Sequence, residues 1–285
     1  MEHRSIAHDR RGGDACFGSR AEETSGGLAL QTENGNTTTV ERKALTEEQV
    51  NRFWTDGYLG IGKILEDDEV ELLRREYDRE FERAYSGHHP RYRSHAVGDT
   101  RILQIIQMCE YNIHFRRLLY DDRILDLIED LIGPNIQLFH DHALLKPARH
   151  GAPALWHQDN AYWRCSPPNL VSCWLTLDDV DVHNGAMQFL PGTHFRSVEH
   201  DRLAEDSVLL DLSDKVDDAN AVVVPLPAGG VTLHHCQTLH YTAPNKTDRQ
   251  RRAFAIHFMT PGTRSLREMK YLEVSFEQPV LRMRV

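Results

Sequence analysis

The chain has 285 residues and a formal net charge of −10 at pH 7, and 40% of its residues are hydrophobic. This length is sufficient for one large domain or two small ones with a substantial core. The acidic balance argues against nucleic-acid binding and against docking on anionic membranes, because both surfaces attract clustered basic residues. Nucleic acids and membranes are therefore not expected partners. The composition gives no indication of the oligomeric state.

The cysteines indicate a reducing compartment. They are odd in number, scattered and without a C-x-x-C pair, which argues against a disulfide framework and against a cysteine zinc site. The sequence contains neither an N-terminal apolar segment nor an apolar run of about 18 residues. We therefore predict a cytoplasmic protein. The five cysteines are Cys16, Cys109, Cys165, Cys173 and Cys236.

The first half of the chain is predicted to be a polar tail followed by helices. Residues 1–44 are rich in Gly, Ser, Thr, Asn and charged residues, which predicts a disordered tail, with a lid that orders over the site as the alternative. Residues 45–285 are predicted to form a single domain. Apolar spacing and turn residues predict a helix capped by Thr46, a strand at 57–61, helices at 66–85, 115–119 and 124–132, and a loop at 86–100 with exposed His88, His89 and His95.

After Asn135 the pattern changes to short strand-like runs separated by turn residues. Runs of this kind predict an all-β sandwich or jelly roll, so the fold class is mainly β with flanking N-terminal helices. Asn184 and Gly185 are predicted to form a type I′ hairpin turn. The predicted strands cover residues 136–145, 155–163, 170–177, 186–190, 221–225, 230–235 and 253–260.

His157 and Asp159 form the most informative short pattern. Residues i and i+2 of a strand share a face, so these side chains can bind one metal ion, and His240 from a distant strand can complete the set. Two histidines and one carboxylate leave three adjacent positions open on an octahedral metal, as in non-haem Fe(II) oxygenases. Chance predicts roughly two to three His-x-Asp/Glu matches in this composition, and the sequence contains only this one.

Arg251 can bind an anionic co-substrate near this metal set. It follows His240 by eleven residues, so it can lie on the next strand of a hairpin and pair bidentately with a carboxylate. Arg252 would point to the opposite face of that strand, so only one of the two arginines can enter the interior. Thr242 shares the strand face of His240 and can hydrogen-bond the same carboxylate.

Three sequence blocks around these residues occur in a fixed order. They are LWHQDNAYW at residues 155–163, NGAMQFLPGTH at residues 184–194, and HYTAPNKT at residues 240–247 with RRAF at residues 251–254. Together they resemble the phytanoyl-CoA dioxygenase family, and the resemblance extends over residues 45–259. Thr193 and Thr242 stand where the family usually has serine, and both keep a hydroxyl.

The resemblance implies a double-stranded β-helix, a cupin-like jelly roll, that performs Fe(II)- and 2-oxoglutarate-dependent dioxygenation. O2 and 2-oxoglutarate would be consumed with release of succinate and CO2 while an unactivated C–H bond of a small-molecule metabolite is hydroxylated. Ascorbate is expected to stimulate the reaction. The family pattern implies His157, Asp159 and His240 as iron ligands, and it implies Arg251, Thr242, Trp174, His142 and Gln104 or Gln107 as co-substrate or pocket residues.

Two other classes of function remain open from the sequence. One is a non-catalytic jelly-roll protein that binds a metal or ligand, although such a protein is expected to have lost a ligand or the arginine. The other is a cupin-like metalloenzyme that does not use 2-oxoglutarate, although such sites usually have more histidine ligands and no need for Arg251. Desaturation or cyclisation are alternatives to hydroxylation, whereas Asp159 argues against halogenation, since a small residue at that position would leave room for halide.

Other histidines are weaker metal-ligand candidates. His140 and His142 also have i, i+2 spacing, but nothing beside them supplies a third ligand. His234 and His235 are adjacent and point in opposite directions on a strand, so they cannot both bind one metal ion. His194 in the PGTH turn is predicted to be structural.

Overall fold

The computed structural model describes residues 42–203, 209–267, 270–273 and 278–284. Residues 41–285 form one compact unit, and the predicted tail lies almost wholly outside the described residues. Among the described residues, no helix is long and apolar enough to cross a bilayer. The helices are α1 (Glu47–Asp56), α2 (Asp67–Tyr85), α3 (Met108–Tyr111), α4 (Ile113–Leu118), α5 (Asp122–Ile132) and α6 (Asp159–Trp163), with 3₁₀ turns at Thr193–Phe195 and Ser213–Lys215.

The strands follow the pattern of short runs and turns. The first nine are β1 (Tyr58–Lys63), β2 (Tyr92–Val97), β3 (Thr100–Ile106), β4 (Ile136–Lys146), β5 (Ala154–His157), β6 (Cys165–Ser166), β7 (Val171–Thr176), β8 (Met187–Phe189) and β9 (Asp201–Arg202). The others are β10 (Leu210–Asp211), β11 (Val222–Val224), β12 (Gly230–His235), β13 (His240–Thr242), β14 (Arg251–Met259), β15 (Arg264–Arg267), β16 (Lys270–Glu273) and β17 (Val280–Arg282).

Two antiparallel sheets form the body of the fold. The major sheet has the strand order β1-β12-β7-β14-β4-β3-β2, with β17 also paired to β4, and the minor sheet has the order β11-β8-β13-β5. The chain alternates between them, because β4, β7, β12 and β14 belong to the major sheet and β5, β8, β11 and β13 to the minor one. This alternation is that of a double-stranded β-helix, which confirms the predicted fold class.

The helices cover the outer face of the major sheet. Helices α1 to α5 present apolar sides to it, and Phe53 of α1, Tyr77 of α2 and Phe115 of α4 join Phe254 of β14 in one buried cluster. Thr46 caps α1 as predicted, since its hydroxyl accepts a hydrogen bond from the Gln49 backbone N–H at 3.2 Å. The inner face of the major sheet is therefore left to face the minor sheet.

The prediction of one loop at residues 86–100 was wrong. Residues 92–97 form β2, which pairs with β3 at the edge of the major sheet, from Tyr92 opposite Ile105 to Val97 opposite Thr100. Edge strands are often short and carry charged side chains, so residues 92–97 lack the apolar alternation that would have indicated a strand. His88 is exposed as predicted, but His89 is only 6% exposed.

The predicted strand at residues 155–163 was also wrong in its second half. β5 ends at His157, and α6 begins at Asp159. One long-range and one local contact hold this change of direction. The Asn160 backbone N–H donates to the Cys236 carbonyl at 2.9 Å, and the Cys165 N–H donates to the Asn160 side chain at 2.7 Å. Alternation along the sequence cannot reveal the contact between Asn160 and Cys236.

Two predicted hairpins do not form. Gly185 has a φ of +95°, but Asn184 has no positive φ, and a type I′ turn requires both. Asn184 instead bridges a longer turn through hydrogen bonds to the Asp181 N–H at 2.9 Å and the Asp179 carbonyl at 2.7 Å. β13 and β14 are likewise not paired with each other, since they belong to different sheets.

Candidate active site

A cavity of about 300 Å³ lies between the inner faces of the two sheets. Its wall includes all the residues that the sequence singled out as catalytic or co-substrate residues, with the exception of Gln107. From the predicted set the wall contains His157, Asp159, His240, Arg251, Thr242, Trp174, His142 and Gln104. Gln107 instead precedes α3 with a left-handed φ of 56°.

His157, Asp159 and His240 converge in this cavity. Their potential ligand atoms all lie within 4.8 Å of one another. His157 ends β5 and is paired in register with His240 at the start of β13. Asp159 reaches them from the first turn of α6, not from the same strand as His157, and its Oδ1 lies 3.7 Å from His157 Nε2 and 3.6 Å from His240 Nε2.

The backbone fixes the tautomers of the two histidines. His157 Nδ1 lies 2.7 Å from the Leu155 carbonyl, and His240 Nδ1 lies 2.9 Å from the Thr238 carbonyl. A carbonyl can only accept, so in the neutral form of each ring Nδ1 carries the proton and Nε2 keeps a lone pair directed at Asp159. This is the arrangement that a metal-binding imidazole needs.

The charge state of the cluster is also suited to a cation. Burial alone would raise the pKa of Asp159, but the imidazoles of His240, His157 and His234 outweigh it and hold this pKa well below its usual range. Burial holds the pKa of His240 well below its usual range. The site therefore presents the Asp159 carboxylate and a neutral His240 imidazole at neutral pH, which are the forms that bind metals.

Arg251 is a buried cation without a carboxylate partner among the described residues. It is 2% exposed, its Nη1 donates to the Leu144 carbonyl at 3.3 Å, and its Nε has no hydrogen-bond partner. Its guanidinium lies 5.5 Å from the centre of the Trp174 ring, and burial lowers its pKa to about 10. A buried charge in this state favours an anionic ligand.

Arg252 points away from the cavity, as strand alternation predicted. Its guanidinium forms ion pairs of 2.8 Å with both Asp78 and Asp178 on the outer side of the sheet. Thr242 shares the inner face with His240, and its Oγ1 accepts a weak hydrogen bond from the Ala154 N–H at 3.4 Å. The hydroxyl proton of Thr242 therefore remains available to a ligand.

Lys146 was missed by the sequence analysis. It is 1% exposed, lines the cavity and is paired in register with Arg251. Its Nζ donates to the carbonyls of Thr242 at 3.0 Å and Ala243 at 2.5 Å, which connects the two sheets. Burial, assisted by Arg251, holds its pKa well below the usual range. A lysine directly after the predicted strand at residues 136–145 gives no sequence signal for this buried position.

Several other imidazoles line the cavity. Burial lowers the pKa of His140 to about 4 and that of His142 to about 3, so both are neutral at neutral pH. His95 also lines the cavity, contrary to its prediction as an exposed loop residue, because β2 brings it there. His194 does not line it and is buried against the Trp54 carbonyl at 3.2 Å, in keeping with a structural role.

His234, His257 and Ser172 surround Asp159 from the major sheet. Ser172 and His257 were assigned no role from the sequence, and His234 was only a weak metal-ligand candidate, although His257 continues the two-residue alternation of Arg251 along β14. His234 Nε2 lies 3.1 Å from Asp159 Oδ2, and the Ser172 hydroxyl donates to the same oxygen at 2.9 Å. Sheet register, not local sequence, brings these residues together.

The jelly roll and its cluster of two imidazoles and one carboxylate define the class of non-haem iron enzymes that use 2-oxoglutarate. A comparison with protein families agrees with this class. The family described as phytanoyl-CoA dioxygenase (PhyH) matches residues 53–253, and the chain belongs to this family.

Curated relatives carry related names. The probable alpha-ketoglutarate-dependent hypophosphite dioxygenase of Stutzerimonas stutzeri is 32% identical over 147 residues, which cover 50% of this chain and 51% of that protein. The chain thus matches about half the length of that relative. The peroxisomal phytanoyl-CoA dioxygenase of Mus musculus is 26% identical over 244 residues, which cover 77% of this chain and 70% of that protein.

Solved structures show the same class. The non-heme alpha ketoglutarate-dependent epimerase SnoN from nogalamycin biosynthesis superposes with a TM-score of 0.67 at 26% identity, over 83% of this chain and 98% of that one. EvdO2 from Micromonospora carbonacea var. aurantiaca, complexed with 2-oxoglutarate, superposes with a TM-score of 0.60 at 30% identity, over 77% and 93%. The chain is therefore an enzyme of the non-haem 2-oxoglutarate-dependent class.

Proposed function

We propose that this enzyme uses Fe(II), 2-oxoglutarate and O2 to hydroxylate an unactivated C–H bond of a small-molecule metabolite, with release of succinate and CO2. The observation that carries the proposal is the convergence of His157, Asp159 and His240 beside the unpaired Arg251 in one cavity. We place this activity in a single domain over residues 45–285 and, from the cysteine pattern, in the cytoplasm.

The donor set fits iron. Both histidines present a free Nε2, and Asp159 presents Oδ1 to the same point. Two imidazoles and one carboxylate suit Fe(II) and leave room for further ligands. A bound iron would supply the activation of O2, which no side chain of this cavity can perform. The carboxylate of Asp159 favours hydroxylation over halogenation, as the sequence analysis expected.

The co-substrate carboxylate fits the Arg251 end of the cavity. Arg251 would bind the distal carboxylate of 2-oxoglutarate bidentately, and the Thr242 hydroxyl would donate to the same group. Trp174, stacked near the guanidinium, would hold it in place and exclude water. The ion pair would satisfy a cation that has no carboxylate partner within the described residues. Ascorbate is expected to stimulate turnover.

The cavity favours a compact, hydrogen-bonding substrate. Its volume of about 300 Å³ must also accommodate the co-substrate, and small-molecule pockets range from about 300 to about 1,000 Å³. His140 and His142, together with His95 and Gln104, offer polar groups on its wall. We therefore favour a small metabolite with hydroxyl or oxyanion groups over an acyl-CoA thioester enclosed in the cavity.

Succinate release from 2-oxoglutarate tests this proposal, with a metabolite mixture added in parallel. His157→Ala should abolish Fe(II)-dependent release. Arg251→Lys should raise the KM for 2-oxoglutarate by at least about tenfold, because an ammonium cannot pair bidentately. Arg252→Lys is the matched control, since the same substitution on the outer face should leave this KM unchanged.

Two results would overturn the proposal. Absence of both succinate release and 2-oxoglutarate binding to the metal-loaded protein would favour a metal- or ligand-binding jelly roll or a cupin-like enzyme that needs no 2-oxoglutarate. A product that has lost two hydrogens, or that keeps the substrate mass, would replace hydroxylation with desaturation, cyclisation or epimerisation. The neighbour SnoN is an epimerase by its name, so product mass should be measured directly.

A further inference from the structure

Four polar residues form one row across the inner face of the major sheet. His234 of β12 is paired with Ser172 of β7, Ser172 with His257 of β14, and His257 with His140 of β4. Ser172 is 0% exposed, His234 2% and His257 3%. Burying several polar groups side by side is unfavourable unless each has a hydrogen-bond partner. The partners of this row therefore need to be identified.

The hydrogen bonds of the row lead to Asp159. The Ser172 hydroxyl donates to Asp159 Oδ2 at 2.9 Å and lies 2.7 Å from His257 Nδ1. Its single proton is used on the carboxylate, so Ser172 must accept from an Nδ1–H of His257. His257 Nε2 is then the unprotonated nitrogen, and it accepts from His142 Nε2 at 3.3 Å.

His234 supplies a second donor to the same oxygen. Its Nε2 lies 3.1 Å from Asp159 Oδ2, whereas its Nδ1 is buried without a hydrogen-bond partner. A carboxylate oxygen only accepts, so the proton of His234 lies on Nε2. Oδ2 thus receives two hydrogen bonds, from Ser172 and His234, while Oδ1 faces His157 Nε2 and His240 Nε2 at 3.7 and 3.6 Å.

We propose that Ser172 and His234, with His257 behind Ser172, are positioning residues that restrict Asp159 to monodentate metal binding through Oδ1. This inference rests on the proposed function, because it concerns the same metal. A carboxylate that bound through both oxygens would occupy one of the three positions that a chelating 2-oxo acid and O2 need. Residues that orient a ligand in this way typically change metal affinity by about 10–100-fold.

The test compares Ser172→Ala with Ser265→Ala. Both serines are buried, but Ser265 donates to the Trp163 carbonyl at 2.6 Å and not to Asp159. Ni(II) serves as the probe in calorimetric titrations of the full chain, followed by 2-oxoglutarate titrations of the Ni(II)-saturated protein. We expect Ser172→Ala and His257→Leu to weaken the affinity for Ni(II), for 2-oxoglutarate or for both by about 10–100-fold. Ser265→Ala should leave both affinities unchanged. Ser172→Thr keeps the hydroxyl and should retain the wild-type affinities.

The outcomes separate the two proposals. If the wild-type protein binds no Ni(II), the proposed function fails and the inference fails with it. If the wild type binds Ni(II) and 2-oxoglutarate but Ser172→Ala binds both as tightly as Ser265→Ala, only the positioning role is wrong. Equal melting temperatures of the metal-free Ser172→Ala and Ser265→Ala proteins would show that any loss of affinity is not a loss of folding.

Discussion

The two faces of β14 are made from alternate residues of one strand and have opposite properties. The outer face carries Phe254, Ile256 and Phe258, all 0% exposed and packed in the cluster beneath the helices. The inner face carries two alanines, between Arg251 at one end and His257 at the other. Large apolar side chains therefore stabilise the fold on one side, while small and polar ones leave space for chemistry on the other.

Arg251 and Arg252 show the same contrast in two adjacent residues. Arg252, on the outer side, is paired with two carboxylates and contributes to structure. Arg251, on the inner side, has no such partner in the described part of the chain. A buried cation left without a counter-ion is unfavourable by itself, which indicates that the inner face is completed by an anionic ligand.

Removing a ligand from the inner side should give the largest effect on activity. In His240→Ala we expect succinate release to fall by more than about 100-fold. Substitution of a residue that only supports a metal ligand typically costs about 10–100-fold, and loss of a ligand itself should cost more. Metal affinity and turnover are the measurements. The exposed His183→Ala is the matched control, and comparable loss in that variant would contradict the assignment of His240.

Truncating the outer face should give the largest effect on stability. Phe254 lies 5.0 Å from Phe115, ring centre to ring centre, so Phe254→Ala should lower the free energy of unfolding by about 3–5 kcal/mol. Denaturant titration measures this loss. Phe195→Ala, at a side chain 70% exposed, should change it by less than about 0.5 kcal/mol. A changed 2-oxoglutarate KM in folded Phe254→Ala would show that the faces are not independent.

Asp141 is a polar exception among the apolar outer positions of β4, and it predicts a pH dependence of stability. Burial raises its pKa from 3.8 to about 6, although it accepts a hydrogen bond from the Cys109 N–H. The native state therefore holds this proton more tightly than the unfolded chain. The stabilisation that protonated Asp141 contributes to the native state is complete below pH 3.8 and is lost as the pH rises through about 6.

The amide in Asp141→Asn should remove this dependence. A shift of about two pKa units corresponds to about 3 kcal/mol, so the wild type should lose up to that amount of stability relative to Asp141→Asn between about pH 4 and pH 7. Unfolding measured across this range is the test, with Asp99→Asn on an exposed turn as control. Parallel pH profiles of wild type and Asp141→Asn would contradict the prediction.

The helix cap at the outer layer should give the smallest effect. Thr46→Ala removes the hydroxyl that accepts from the Gln49 N–H and should lower the free energy of unfolding by about 1 kcal/mol. Turnover should not change, since α1 does not line the cavity. Thr55→Ala, within the same helix, is the comparison, and an equal loss there would show that capping is not the cause.

The sequence predicted local elements well, because their causes are local. Thr46 with Gln49, and the stop of α5 at Gly133, depend on residues within one turn. The family resemblance brought His157, Asp159, His240 and Arg251 together correctly, although the strand argument for His157 and Asp159 was wrong. Asp159 reaches the cluster because the chain turns into α6 after Gln158.

What the sequence could not predict depends on register between distant strands. Ser172, His257 and Lys146 enter the site through pairings of β7, β14 and β4, and no short pattern contains those pairings. His95 reaches the cavity only because β2 adds to the edge of the sheet. The place of these residues in the site can therefore be recognised only after the fold is known.

The alternation along β14 also limits how this gene can diverge. Point substitutions on either face alter one property at a time, but insertion or deletion of a single residue within the strand would move every residue on one side of it to the opposite face. A change after Phe254 would turn Arg251 toward the helices and Phe254 into the cavity if the end of the strand near Met259 kept its register. Length variation among homologues should consequently be confined to the connection between Thr242 and Arg251 and be absent from the strand.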